Sequence, residues 1–356
     1  MKNLCILSER RFQGREVANA CGQVVFFWYC FADWRESGWR ETRTEALHQN
    51  AEGLDIQAPD AILSSLANAQ IEAAKAVRGA IPAIAQAAEI IASRLNSGGK
   101  LAYAAAGSSG LMALADALEL PGTFGIKRDR IAILIAGGDD AFKTLSGGPE
   151  DDTDEASAAV AAAGIAEGDC LIAVSASGST PYAVRAIEDA KRCGAATIAI
   201  ANNKDAPLLR LADIAILLET PPELIAGSTR MGAGTAQKIA LNMLSTLAAI
   251  HLGHVHDGYM VNLMADNIKL RERAARIVAA ISGRDRDDAA RLLENSGGAV
   301  KTAILLAAGA ASADAAQKIL EGTGHKLRPA LSAIEGSMGR KTSVLKTEPE
   351  KGQQGD

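Results

Sequence analysis

Hydroxyl side chains crowd one short stretch of the chain, Ser175-Ala176-Ser177-Gly178-Ser179-Thr180, which runs straight into Pro181. Small hydroxyls supply hydrogen-bond donors without bulk, and Pro181 suits the first turn of a helix. The stretch therefore reads as a loop feeding a helix N-terminus. Free backbone N–H groups and the positive end of the helix dipole fit such a place to hold an anion, most naturally the phosphate of a small molecule. A second copy of the pattern lies upstream as Gly107-Ser108-Ser109-Gly110. Neither loop has the G-x-G-x-x-G or Walker A spacing, so a dinucleotide or ATP lacks support. Two glutamates are candidates for proton transfer. Glu119 ends an apolar helix, where desolvation raises a carboxyl pKa, and Glu150 stands beside Asp151 and Asp152, where repulsion does the same. From the residues alone, a helix-end charge at Glu119 and a solvated acidic loop at Glu150 are the favoured readings. His251, His254 and His256 are spaced to put two ligands on one helical turn. Gly253 is expected to end the helix between them, and no Cys or Glu completes a zinc spacing, so they are read as surface or loop histidines and no metal is expected.

These residues need elements to hold them. Leu171–Val174 is an apolar run between turn signals and reads as a buried strand, followed by a helix over Tyr182–Cys193. The upstream copy begins at Lys100 as a small-residue strand, with a helix from about Leu111 to Leu118 and a turn at Pro121–Gly125. Arg130–Ala136, Ala195–Ala201 and Ile214–Leu218 are further short strands. Helical spacing appears in Pro59–Val77, Ile81–Leu95 and Glu155–Ala163. It appears again in Gly227–Leu252, where Ser228 or Thr229 is a candidate cap. Alternation of strand and helix means a parallel α/β sheet with helices on both faces, and ligands in such sheets sit beyond the carboxyl ends of the strands. Beyond Asn267 only helices follow, over Lys269–Ile281, Arg286–Asn295, Ala299–Ala308 and Ser312–Glu321.

The chain has 356 residues, a net charge of −5 and 48% hydrophobic residues, which suits a folded core and argues against a nucleic-acid surface. No apolar run reaches the length of a membrane span. The cysteines at 5, 21, 30, 170 and 193 form neither a disulfide framework nor a metal pattern, so a reduced, cytoplasmic setting is expected. Residues 1–41 differ from the rest: Trp28, Trp34 and Trp39 all lie there, around the apolar patch Val24–Phe31. Arginines precede that patch as in a signal peptide, but no small-residue cleavage site follows it. An extension outside the catalytic fold is the favoured reading. The expected organisation is thus 1–41 as that extension, 42–265 as the α/β domain that carries the two phosphate-type loops, 266–330 as a small all-helical subdomain, and 331–356 as a disordered tail.

A family resemblance sharpens this. AAGSSG (105–110), DALELPGTFG (116–125), IAGG (135–138), GGPEDD (147–152), SASGSTPY (175–182) and GSTRMGAGTAQKIALNMLST (227–246) resemble segments of the SIS, or sugar isomerase, domain. More narrowly they resemble the N-acetylmuramic acid 6-phosphate etherases, relatives of the glucokinase regulatory protein. Thr44-Glu45 matches that family's N-terminal Thr-Glu. The likeness covers about residues 42–330, and the 227–246 block is its most specific part. It implies an SIS-type parallel sheet, a phosphorylated amino sugar as substrate, a homodimer and a cofactor-independent carbon–oxygen lyase that releases D-lactate. It implies proton donation by Glu119 and a second catalytic role, as base, for Glu150. Substrate contacts would come from residues 107–110, from Ser175, Ser177, Gly178, Ser179 and Thr180, and from Ser228, Thr229 and Arg230. The chain departs from the family's basic positions at Leu111, Ser179 and Gly232. An isomerase or a non-catalytic phosphosugar sensor on the same domain is the alternative.

Overall fold

The computed structural model describes residues 42–344 apart from 266, with side chains to Gly336 except that of Phe142, and the backbone of 14–18 and 24–28. Residues 1–42 form a compact unit distinct from 43–356. In the first unit, β1 (Gly14–Ala18) and β2 (Val24–Trp28) pair antiparallel, with Gly14 opposite Trp28. The rest of 1–41, on which the favoured extension reading and the signal-peptide alternative fall, lies outside the described residues.

The second unit opens with two helices that each carry proline in the first turn, α1 (Pro59–Lys75) and α2 (Ile81–Asn96). Five strands then form one parallel sheet: β3 (Leu101–Ala105), β4 (Ile131–Ile135), β5 (Cys170–Ser175), β6 (Ala196–Ala201) and β7 (Ile214–Leu217), in the order β4-β3-β5-β6-β7. Between and after them come α3 (Gly107–Phe124), α4 (Thr153–Ala162), α5 (Pro181–Arg192), α6 (Pro207–Leu211) and α7 (Gly232–His251). Strand residues alternate between two cores. Leu101, Tyr103, Ala105, Ile172 and Val174 pack with α2, α3 and α7, while Ala102, Ala104, Leu171 and Ala173 pack with α5. A sheet covered on both faces needs apolar residues at every strand position, which is why β3 and β5 read as unbroken runs. The α/β expectation is met. Among the described residues no helix is long and apolar enough to cross a membrane.

Three elements differ from expectation in their boundaries. Gly107–Gly110 is not a loop but the first turn of α3, and the expected turn at Pro121–Gly125 is that helix's last turn. Pro121 removes one backbone donor without ending the helix. The stop comes at Gly125, with φ +65°, where Asn262 Nδ2 donates to the orphan carbonyl of Phe124 at 3.0 Å. Neither Ser228 nor Thr229 caps α7, which begins at Gly232. The third difference is the tail. After a short hairpin of β8 (Val255–His256) and β9 (Tyr259–Met260) come α8 (Ile268–Ser282), α9 (Arg286–Asn295), α10 (Val300–Ala307), α11 (Ala313–Gly322) and α12 (Leu327–Val344). Helix α12 thus occupies most of the stretch from 331 onward that composition marked as disordered. Its Leu327, Ala330 and Ile334 are buried in the core of the helical part, and that burial holds it. Residues 345–356 lie outside the described residues.

A buried carboxylate ties α3 to α7. Asp116 accepts hydrogen bonds from the Tyr103 hydroxyl (2.9 Å), Asn242 Nδ2 (2.8 Å) and the Ser245 hydroxyl (2.9 Å). Burial nevertheless pushes its carboxyl above the ordinary range, against the opposing pull of those bonds.

Candidate functional site

The order of the sheet selects one place for a ligand. The chain leaves β3 toward β4 on one side and then returns to build β5, β6 and β7 on the other, so the connections diverge between the carboxyl ends of β3 and β5. Such a divergence opens a crevice, the usual ligand position in an open parallel sheet. Ala105 pairs with Val174, which brings the Gly107–Gly110 turn and the Ser175–Thr180 loop out side by side.

The first wall is the N-terminus of α3. Its N-cap, Ala106, has no side chain to offer, so no capping bond satisfies the first-turn N–H groups. Gly107 holds φ +54°, and the Glu150 carboxylate lies against it: a Cβ there would sit 2.6 Å from Glu150 Oε1. Glu150 is half-buried, and burial first, then the charge of Asp151, raises its pKa. The repulsion expected from Asp151 is present. Asp152 acts elsewhere, its carboxylate accepting from the N–H groups of Asp154 and Glu155 to cap α4.

The second wall is a loop held by its own hydroxyls. Ser175 Oγ lies 2.8 Å from Thr180 Oγ1 and 3.2 Å from Ser177 Oγ, and it accepts from the Gly178 N–H at 3.0 Å. Ser177 Oγ in turn accepts from the N–H and the hydroxyl of Ser179, each at 3.2 Å. Gly178 needs its φ of +67°, and a Cβ there would overlap the Cβ of Ala206 and reach that of Ala201 at 2.9 Å. Thr180, the N-cap of α5, makes no side-chain cap bond either.

A third group of residues ties in from far along the chain. Buried Asn203, just after β6, donates to the Ser177 carbonyl (3.2 Å) and to Thr44 Oγ1 (3.0 Å), and accepts from the Thr44 N–H (3.3 Å). The Gly227 N–H donates to the Thr44 carbonyl at 3.1 Å, and Glu45 Oε2 lies 2.9 Å from where a Gly227 Cβ would be. Thr44-Glu45 therefore fastens the serine loop to the segment that holds half-buried Ser228 and Thr229 and exposed Arg230. The cap that Ser228 and Thr229 do not provide comes from Glu223, whose buried carboxylate accepts from the Gly232 and Ala233 N–H groups at 2.8 Å each. Sequence reasoning missed Glu223 and Asn203. Glu223 is separated by a loop from the helix it caps, so no spacing announces it. Asn202-Asn203 directly after a strand was the only signal for Asn203.

Glu119 is elsewhere. It is exposed, and α3 continues past it, so the desolvated helix-end expected there is absent in a single chain. At 1.5 Å per residue, the axial distance from Gly107 to Glu119 is about 18 Å. One chain therefore does not bring Glu119 and Glu150 onto the same small molecule. Exposed Leu111 and Leu118, two turns apart on one face of α3, form an apolar stripe next to Glu119. At Gly232, where the resemblance leads to lysine, a Cβ would stand 3.0 Å from both Ala73 Cβ and Glu223 Oε2, so the close packing of α1 on α7 accounts for glycine. Among the described residues no three His, Cys, Asp or Glu are arranged to hold a metal ion. Of the histidines read as surface or loop residues, His256 lies in the short strand β8 with a side chain 10% exposed, and burial lowers the His254 pKa to about 4.

Comparison with known proteins places these features. The SIS domain family matches residues 67–202, which contain β3, β4, β5, β6 and both serine walls. The chain is 44% identical over 294 residues to the N-acetylmuramic acid 6-phosphate etherase of Deinococcus radiodurans, covering 82% of this chain and 96% of that one. It is 49% identical over 235 residues to the etherase of the same name from Symbiobacterium thermophilum, covering 66% and 78%. Among solved structures, a phosphoheptose isomerase from Francisella tularensis aligns with 54% of this chain and 95% of its own at 27% identity and a TM-score of 0.38.

Proposed function

Since the chain belongs to the N-acetylmuramic acid 6-phosphate etherase family, we propose that it cleaves the D-lactyl ether of N-acetylmuramic acid 6-phosphate, giving N-acetylglucosamine 6-phosphate and D-lactate in amino-sugar recycling. The near full-length relationship to named etherases carries this reading. The reaction is an elimination followed by hydration. In the open-chain sugar the C1 aldehyde acidifies the C2 proton. A base removes that proton, the C3–O bond breaks as an acid protonates the departing lactyl oxygen, and water then adds across the C2–C3 double bond.

Glu150 is the base in this reading. Its carboxylate stands against Gly107 in the first turn of α3, and a raised pKa moves a carboxyl toward the range useful for proton transfer near neutral pH. With Glu150 on the α3 N-terminus, the phosphate goes to the hydroxyls of Ser175, Ser177, Ser179 and Thr180 and the N-terminus of α5, with Ser108 and Ser109 as the facing wall. Ser228, Thr229 and Arg230 close the third side. Glu119 is the acid, and about 18 Å of helix requires that it act in the site of a second copy. Exposed Leu111 and Leu118, together with the apolar groove of Ile81, Ile239, Met243 and Ile250 along α2 and α7, supply a face for a homodimer. Closing that face would also give Glu119 the desolvation that suits an acid. Cys170 and Cys193 are free thiols, which supports a reducing, cytoplasmic compartment. Incubation with N-acetylmuramic acid 6-phosphate should release D-lactate. Binding of phosphosugars without lactate release would hand the site to the isomerase or sensor reading.

A further inference from the structure

A second cavity, of about 510 Å³, lies away from the serine loops, between the end of α3 and the helical C-terminal part. Its walls include Gly125, Asn262, Gly297, Gly298, Lys301, Thr302 and His325, and among the described residues no Asp or Glu lines it. Helix α10 begins there. Its N-cap, Ala299, makes no side-chain cap bond, so the first-turn N–H groups have no side-chain acceptor. Two polar groups on that first turn have unused capacity. Thr302 is 6% exposed and lines the cavity, and its hydroxyl makes no hydrogen bond among the described residues. Lys301 is 7% exposed and forms no salt bridge among the described residues. Its ammonium donates to the carbonyls of Gly253 (3.1 Å) and His325 (3.0 Å), which leaves one of three donors free.

A buried ammonium, a hydroxyl unpaired among the described residues and an uncapped helix N-terminus surround one cavity with no carboxylate among its described walls, which is the donor set an oxyanion needs. We propose that this cavity is a second binding site, distinct from the catalytic crevice, for a phosphate oxyanion, either free or as the monoester of a small sugar. Burial lowers the Lys301 pKa to about 8, and an oxyanion would supply the counter-charge that the described walls lack. Binding there has a route to the reaction. Asn262 and Gly125 are walls of the cavity, and Asn262 caps the carbonyl of Phe124 at the end of α3, the helix that carries Glu119 and the Ser108-Ser109 turn. The site would therefore regulate rather than catalyse.

Amide hydrogen exchange of the full chain tests this, with inorganic phosphate in one arm and N-acetylglucosamine 6-phosphate in the other. Peptides covering 297–303 should gain protection with a dissociation constant in the millimolar range or below in at least one arm. The better arm identifies the free or the esterified form. Peptides covering 175–180 report the catalytic crevice separately, so failure there does not decide the second site. Thr302→Val should weaken protection of 297–303 by about tenfold or more, because it removes a hydrogen bond to a charged group, and leave 175–180 unchanged. Thr302→Ser should retain it. No protection of 297–303 in either arm, protection only at tens of millimolar (an adventitious ion only), or equal loss in Thr302→Val and Thr302→Ser would each overturn the proposal.

Discussion

Glutamine at position 150 and glutamine at position 119 should stop turnover at different steps. Without the base at 150, neither lactate release nor exchange of the C2 hydrogen with heavy water should occur. Without the acid at 119, lactate release should stop while C2 exchange remains measurable, because the carbanion still forms and is reprotonated. Each loss in turnover should be about 10²–10⁴-fold. Reversed exchange behaviour would swap the roles. A pH profile gives an independent check. A base must be ionised, so activity falls as pH drops through its pKa. Asp151 holds the Glu150 pKa up, second to burial. Asp151→Asn should therefore lower that pKa and move the acid limb of kcat/KM to lower pH, whereas an unmoved limb would place the titrating group elsewhere. The serine walls were legible in the chain because small hydroxyls and glycine after a strand have few other uses. Glu150 was not legible from its neighbours. What distinguishes it is contact with Gly107, more than forty residues away in sequence, and no local pattern encodes such a contact.

Among the helices, α7 depends on a partner outside itself. Its N-terminal N–H groups are satisfied by buried Glu223 rather than by a residue at the cap position. Glu223→Ala would leave two buried donors without acceptors, a loss of roughly 3 kcal/mol, which in a chain this large lowers Tm by roughly 5–10 °C. Glu223→Gln keeps one acceptor and should lose about half as much. A thermal melt of both variants measures this, and a Tm unchanged in Glu223→Ala would show that water replaces the carboxylate. Strand positions were read to within a residue or two because β3, β5 and β6 are short, apolar and bounded by turns. Helix ends were read less well. Pro121 looked like a stop, but a proline deletes only one donor, and the stop is set by the positive φ of Gly125 and by Asn262 arriving from beyond the hairpin. Helix α12 was missed because its polar composition conceals three buried residues at helical spacing, Leu327, Ala330 and Ile334.

For the whole molecule, the distance between the two glutamates makes a prediction about assembly. If each catalytic unit takes Glu150 from one chain and Glu119 from another, equal amounts of Glu119→Gln and Glu150→Gln, unfolded together and refolded, should regain about a quarter of wild-type activity. Half of the resulting dimers would be mixed, and each mixed dimer would hold one intact site of two. No recovery in samples that light scattering shows to be dimeric would mean that both residues serve within one chain. The alternation of strands and helices was enough to read the α/β architecture, but not the three-dimensional separation of 119 from 150, which depends on where α3 begins and ends. One further property of the whole chain is a matter of time. Thr44 is fastened to Asn203, 159 residues downstream. At roughly 5–20 residues per second, a ribosome delivers Asn203 about 8–30 s after Thr44. The stretch that leaves the ribosome ahead of every strand of the sheet must wait for nearly all of that sheet to be synthesised, so the edge that locks the serine loop can only be seated late. A nascent chain interrupted before β6 would carry both serine walls and no lock to hold them.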